Sequence, residues 1–296
     1  MPVPAELLKQ VKGIALRTRG VVDSLFSGEF RSVFRGQGME FAEVRAYEQG
    51  DDFRAIDWNV SARLGSPYVK TFTEERELTL LLMVDQSAST RVGTPVTKAA
   101  RSVEVAAVLA LAGAREQDRV GGLLFSDRIE HVVRPGKGRR HALRLIRDLL
   151  AFEGTRRGTN LTSAIHFASR VLGHRGVVVI LSDFLAEGWE KALRELAVRH
   201  EVIAITMDDP REEDPPRAGW VEMEDAETGR HALVNTENAG ALRRWRAAVQ
   251  ARRAQRRERL LSAGVEHIAL TPATDYGLVL RRSFARRLRR RRTRAR

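Results

Sequence analysis

From Leu78 to Val84 the chain reads LTLLLMV, an apolar run without alternation that breaks at once into Asp85-Gln86-Ser87-Ala88-Ser89. So short and continuous a run predicts a strand buried on both faces, the kind found in parallel sheets covered by helices. A second run, Gly176 to Leu181 (GVVVIL), ends in Ser182-Asp183. Between and beyond them the pattern alternates between helix and strand. A helix is predicted over Thr94 to Gln117 and a strand over Arg119 to Phe125. An antiparallel strand, Ile129 to Arg134, returns across the Ser126-Asp127-Arg128 turn. Helices follow over Arg139 to Phe152 and from about Thr162 to Leu172, the latter after a Gly-bracketed loop, Gly154 to Leu161. Next come a helix over Glu187 to Arg199 and a strand over Glu201 to Met207. A turn-rich Pro210 to Pro216 leads to a surface hairpin, Trp220 to Glu224 with His231 to Asn235. A long Arg-studded helix (about Asn238 to Ser262), the strand Val265 to Leu270 and a helix from near Thr274 complete the chain.

This alternation predicts an α/β fold: a doubly wound, mainly parallel sheet with right-handed crossovers. In strand order 3-2-1-4-5-6 the winding reverses between the first and fourth strands, which end at Asp85 and Asp183. Ligand crevices form at that switch point, outside the carboxyl ends of the strands.

Residues 1 to 77 follow no standard pattern beyond a helix over Ala5 to Thr18, and are expected to form a small extended N-terminal module. Its charged, Gly-containing stretch carries Phe30, Phe34, Phe41, Tyr47, Phe53, Trp58, Tyr68 and Phe72. Arg45, Asp51, Asp52, Arg54, Asp57 and Arg63 are expected to form a partly buried ion-pair network beneath these aromatics, a structural role favoured over catalysis by Asp51, Asp52 or Asp57 because arginines are so abundant nearby.

Composition sharpens the picture in three places. The chain has no cysteine, which leaves oxygen and histidine as metal ligands and excludes a thiol nucleophile. The N-terminus lacks the apolar core of a signal peptide and no apolar run approaches the ~18 residues of a membrane span, so a cytoplasmic location is expected. The net charge of +13 is concentrated in Arg281 to Arg296, with ten arginines and no acid; 13 − 10 leaves +3 for the rest. A basic tail of this kind binds nucleic acid or anionic lipid, or is a solvated helix end, and the solvated end is the simpler expectation.

Asp85-x-Ser87-x-Ser89 is compatible with a helix-capping loop, a phosphotransfer loop or a divalent-metal site. A phosphotransfer loop wants a second carboxylate two residues on, where Ser87 stands. The convergence of Asp85, Ser87, Ser89, Thr159 and Asp183 on one crevice favours metal, with Thr162 competing with Thr159 as the loop hydroxyl. Oxygen donors of this kind suit Mg²⁺, Mn²⁺ or Ca²⁺, and Mg²⁺ in particular keeps waters that an outside carboxylate can replace. His131 falls on a strand and His166 inside a helix, away from these loops, so no general base is evident.

At these residues the chain resembles a known family. Asp85, Ser87 and Ser89, Thr159 in GTNL and Asp183 in VILSDF resemble the metal-ion-dependent adhesion site of von Willebrand factor type A domains. RAYEQGDDFRAIDWNVSAR followed by VKTFTEERE is similar to the bacterial DUF58 family; the likeness spans roughly residues 30 to 280. It implies an N-terminal extension (1 to 77), a type A-like domain (78 to 280) and an Arg-rich tail (281 to 296). It further implies a non-enzymatic cytoplasmic adaptor that binds an acidic residue of a partner through its metal. The implied partner is a MoxR-type AAA+ ATPase engaged in assembly of, or metal insertion into, other proteins. Arg45, Asp51, Asp52, Arg54, Asp57 and Trp58 would then shape a second contact surface. A metal-dependent phosphoesterase and a nucleic-acid-binding protein acting through the tail are the other classes compatible with the residues.

Overall fold

The computed structural model describes residues 5–26, 39–74, 78–91, 96–152, 154, 158–224 and 229–294. Phe30, Phe34, Thr94, the turn from Asp225 to Thr228 and the last two residues lie outside them. The chain divides into two compact units, Arg35–Leu78 and the remainder.

The chain opens with helices α1 (Ala5–Arg17) and α2 (Arg19–Phe26). The smaller unit is an antiparallel pair, β1 (Met39–Ala46) and β2 (Tyr68–Glu74), whose connection carries a 3-10 turn (Phe53–Ala55) and helix α3 (Trp58–Leu64). Asp57 caps α3 by accepting from the Asn59 and Val60 amides, and Gly65 ends it at φ 72°, where a side chain would be strained. Arg45 and Asp51 pair through two hydrogen bonds of 2.8 and 2.7 Å, and Lys70 pairs with Asp57 at 3.1 Å.

The larger unit is built on six strands in the order β10-β7-β6-β3-β4-β5. In chain order these are β3 (Thr79–Asp85), β4 (Arg119–Phe125), β5 (Ile129–Gly136), β6 (Val177–Leu181), β7 (Glu201–Met207) and β10 (Glu266–Leu270). All neighbours are parallel except β4 and β5. This is the expected 3-2-1-4-5-6 winding, and β3 and β6 lie side by side at its reversal. The surface hairpin is β8 (Trp220–Glu224) with β9 (His231–Asn235).

Burial on both faces explains the unbroken apolar runs. Leu81, Met83, Leu123 and Phe125 pack against α6 (Leu161–Val171) and α7 (Glu190–Arg199), with Leu260 of α9 (Ala239–Ser262) joining that core. On the other face lie α4 (Lys98–Arg115) and α5 (Gly138–Ala151). Gly122 lets α5 approach β4, since a Cβ there would stand 2.3 Å from Leu145 Cδ1. Each fully buried Leu or Ile contributes roughly 1.5–3 kcal/mol.

Residues 1 to 77 divide differently from the single extension expected. Helices α1 and α2 pack on α4 and α5 as part of the larger unit, and the separate unit begins at Arg35. The tail also departs from a solvated end. Helix α10 (Tyr276–Arg294) buries Tyr276, Leu280, Ser283 and Phe284, and Arg287 pairs with Glu201 at 2.8 Å and Glu266 at 2.7 Å. The turn-rich Pro210 to Pro216 contains one helical turn, α8 (Pro210–Glu213).

Candidate metal centre

The end of β3 sits between β4 and β6, so the residues that follow it are pinned from both sides. The Gln86 amide donates to the Phe125 carbonyl of β4 (2.8 Å), and Ser182 Oγ, just past β6, donates to Asp85 Oδ2 (2.6 Å). Asp85 Oδ1 accepts the Ser87 amide at 2.9 Å, which turns the chain so that the Ser87 and Ser89 hydroxyls stand 3.1 Å apart. Thr90 Oγ1 locks the turn by donating to the Ser87 carbonyl at 2.7 Å. Gly154 closes over this turn: a Cβ there would meet the Gln86 carbonyl oxygen at 2.3 Å.

Asp85 is fully buried and Asp183 is 3% exposed. Burial, and then the charge of Asp183, push the Asp85 carboxyl up to about 7, against the hydrogen bonds from Ser182 and Ser87 that favour its ionised form. Asp183 Oδ1 accepts the Leu185 amide, whereas its Oδ2 is buried and receives no hydrogen bond from the described residues. Such an atom carries a desolvation cost unless a cation or donor meets it.

The loop with Thr159 is carried on the neighbouring strand's end, where the Asn160 amide donates to the Ser126 carbonyl at 2.7 Å and the Asn160 side chain caps α6. Thr162 turns its hydroxyl to the Gly188 carbonyl at 3.3 Å. Hydrogen bonding thus joins Asp85, Ser87 and Ser89 to the strand end bearing Asp183, with the Thr159 loop on the adjoining β4 side.

Four residues without a motif signal, Lys98, Glu212, Arg256 and Asp208, complete the surroundings. Lys98, at the start of α4 and only 2% exposed, places Nζ 3.7 Å from Asp183 Oδ2 and 2.5 Å from Glu212 Oε1. Desolvation alone would lower its pKa, but Asp183 and Glu212 outweigh that and raise it, so the buried ammonium stays charged. Arg256 donates to the Asp183 carbonyl (2.9 Å) and grips both oxygens of Asp208 (2.8 and 2.7 Å). The signal for Lys98 is a cation in the first turn of an otherwise Ala- and Val-rich helix, where the helix dipole disfavours it. Among its neighbouring arginines on α9, nothing local distinguishes Arg256.

The residues fit a hard divalent ion. Two buried carboxylates and a close pair of hydroxyls supply oxygen donors, and Asp183 Oδ2 has the Lys98 ammonium at 3.7 Å but no hydrogen bond from the described residues. Among the described residues no group of three or more His, Cys, Asp or Glu side chains has metal-holding geometry, so the hydroxyls are needed to complete a shell.

In the smaller unit, the described residues form an Arg45 pair with Asp51 and Glu48, a separate Lys70–Asp57 pair and two caps. Arg45 pairs with Asp51 and Lys70 with Asp57, while Asp52 and Asp57 accept backbone amides. The hydrogen bond from Arg45 holds the Asp51 carboxyl below its usual range. Phe53 and Trp58 do not cover these charges; they are 67% and 70% exposed. Arg54 instead lies over the Phe53 ring, 5.8 Å from its centroid.

The sequence profile of the family described as "Protein of unknown function DUF58" matches residues 43–258. The chain belongs to the DUF58 family. An uncharacterized protein of Mycobacterium tuberculosis, Rv1480, is 34% identical over 228 residues, covering 76% of this DUF58 chain and 72% of its own length. Among solved structures, the conserved hypothetical protein BatB of Bacteroides thetaiotaomicron is similar at 12% identity and a TM-score of 0.47, covering 72% of this chain and 99% of its own. The SpRpn10 VWA domain is similar at 12% identity and a TM-score of 0.41, covering 69% and 94%. The chain's own strand order and strand-end loops give this DUF58 protein its type A-like architecture. Among its described residues, no helix is long and apolar enough to cross a membrane.

Proposed function

We propose that this DUF58 protein is a non-enzymatic adaptor that captures a partner protein through a divalent cation, Mg²⁺ or alternatively Mn²⁺ or Ca²⁺. The observation that carries this reading is Asp183 Oδ2, buried and lacking a hydrogen bond from the described residues, in the same crevice as the buried Asp85 carboxylate. Asp85, Ser87, Ser89, Thr159 and Asp183 would hold the ion directly or through water. A bound ion of this class supplies a Lewis-acidic position that an outside carboxylate can occupy.

The chain's own groups do the rest. Ser182 and the Ser87 amide orient Asp85, Arg256 fixes the Asp183 backbone, and the apolar strands exclude competing water. Of the histidines, His131 faces Asp148 at 3.3 Å, His267 lies against Thr206, and His166 is exposed on α6. A MoxR-type AAA+ ATPase presenting an acidic residue is the partner we would place here, in assembly or metal insertion within the cytoplasm. Arg45, Asp51, Asp52, Arg54, Asp57 and Trp58 would form a second contact surface, supported by the exposure of Trp58 and Phe53.

Titration of such an ATPase against the full chain, with Mg²⁺ and with chelator, tests the reading. Saturable binding in Mg²⁺ that is lost in chelator and in Asp183→Ala is expected. Equal affinity in both conditions would sink the cation bridge.

A further inference from the structure

The buried ammonium of Lys98 lies between two carboxylates of different standing. On one side is Asp183, whose Oδ2 accepts no hydrogen bond from the described residues. On the other is Glu212, 2.5 Å away on α8. Glu212 sits in a segment clamped by α9. Trp245 Nε1 donates to the Glu212 carbonyl (2.7 Å), and Arg253 reaches the Asp209 carbonyl (2.9 Å) and the Glu213 carboxylate (2.6 Å). Arg256 links Asp208 in that segment directly to the Asp183 backbone. One charge therefore touches both the crevice and the clamp.

Two cations cannot share a dry carboxylate at low cost, because at separations near 4 Å their mutual repulsion is only weakly screened inside a protein. We propose that Lys98 is a built-in competitor for the divalent ion. With the crevice free, its ammonium is hydrogen-bonded to Glu212 at 2.5 Å and lies 3.7 Å from Asp183 Oδ2; a held ion pushes it off Asp183 and leaves it to Glu212, so that occupancy is transmitted to residues 208–214. This rests on the divalent-ion reading given above and adds a residue that sets affinity and reports occupancy.

The test is Mg²⁺ and Mn²⁺ titration of the full chain by calorimetry, with hydrogen exchange followed over residues 208–214. Lys98→Met removes the competitor and is expected to bind the ion about tenfold or more tightly. Glu212→Gln leaves Lys98 leaning on Asp183 and is expected to bind several-fold more weakly. In the wild type the ion should slow exchange over 208–214, and in Lys98→Met it should not. A merely structural lysine would give weaker binding in both variants, or no change in either; each result overturns the proposal. Glu212 is partly exposed, so if Lys98→Met does not fold, exchange in Glu212→Gln decides: the ion should no longer slow exchange over 208–214 there, and slowing as in the wild type would overturn the proposal. A wild type with no saturable response to either ion would instead remove the ion reading itself, and this proposal with it.

Discussion

Ser182 Oγ donates to Asp85 Oδ2 across 2.6 Å, tying the first strand of the sheet to the fourth at the point where the winding reverses. The bond favours an ionised Asp85 inside a crevice that otherwise disfavours charge. Ser182→Ala is therefore expected to raise the Asp85 pKa further and weaken Mg²⁺ binding at neutral pH. It should cost about 1–3 kcal/mol of stability, the usual effect of leaving a buried acceptor short of a donor. Denaturant unfolding with and without Mg²⁺ reads both; unchanged ion affinity would show that this bond does not tune the site.

The raised pKa of Asp85 gives stability a definite pH dependence. Between about 4 and about 7 the folded protein keeps a proton that the unfolded chain has released, so ion-free stability is greatest at the acid end and falls as pH rises through that window. His267 acts oppositely. Burial, and then the charge of Arg256, lower it to about 4, so its contribution is lost as pH falls from about 6.5 towards 4. The wild type therefore combines two slopes, and Asp85→Asn isolates the first. The stability difference between Asp85→Asn and wild type should grow with pH up to about 7. A pH-independent difference would contradict the buried, proton-holding state.

The last helix is anchored as far as Arg287 and not as a free tail. Phe284→Ala is expected to cost about 3–5 kcal/mol, as for large core aromatics. Arg287→Ala should cost less, because it releases Glu201 and Glu266 in a partly buried setting. Deleting residues 289–296 should change stability by less than about 0.5 kcal/mol. Thermal unfolding of the three proteins checks the ordering; a large loss on deletion would extend the docked region into those residues.

Legibility followed the physics of burial. Leu80 to Val84 and Val177 to Leu181 are covered on both faces, so these positions are apolar and the strand signal survived without alternation. Their Asp-bearing ends followed from topology alone. Strand β1 was hidden because its register shifts between Phe41 and Glu43, which breaks the period of two. The docking of Ser283 to Arg287 was hidden because composition averages over an arginine-rich stretch, while two acids on other strands select Arg287. Lys98 and Glu212 are 114 residues apart, and only tertiary contact pairs them.

Calorimetric unfolding of the full chain in increasing Mg²⁺ tests most directly whether Asp85 and Asp183 share a divalent cation. The wild-type melting temperature should rise with ion concentration, reflecting a stabilisation of RT ln(1 + [L]/Kd), about 2.7 kcal/mol at a hundredfold excess over Kd. Asp85→Ala and Asp183→Ala should remain folded and show no such rise. A wild type indifferent to Mg²⁺ and Mn²⁺, or an equal rise in Asp85→Ala, would contradict the account.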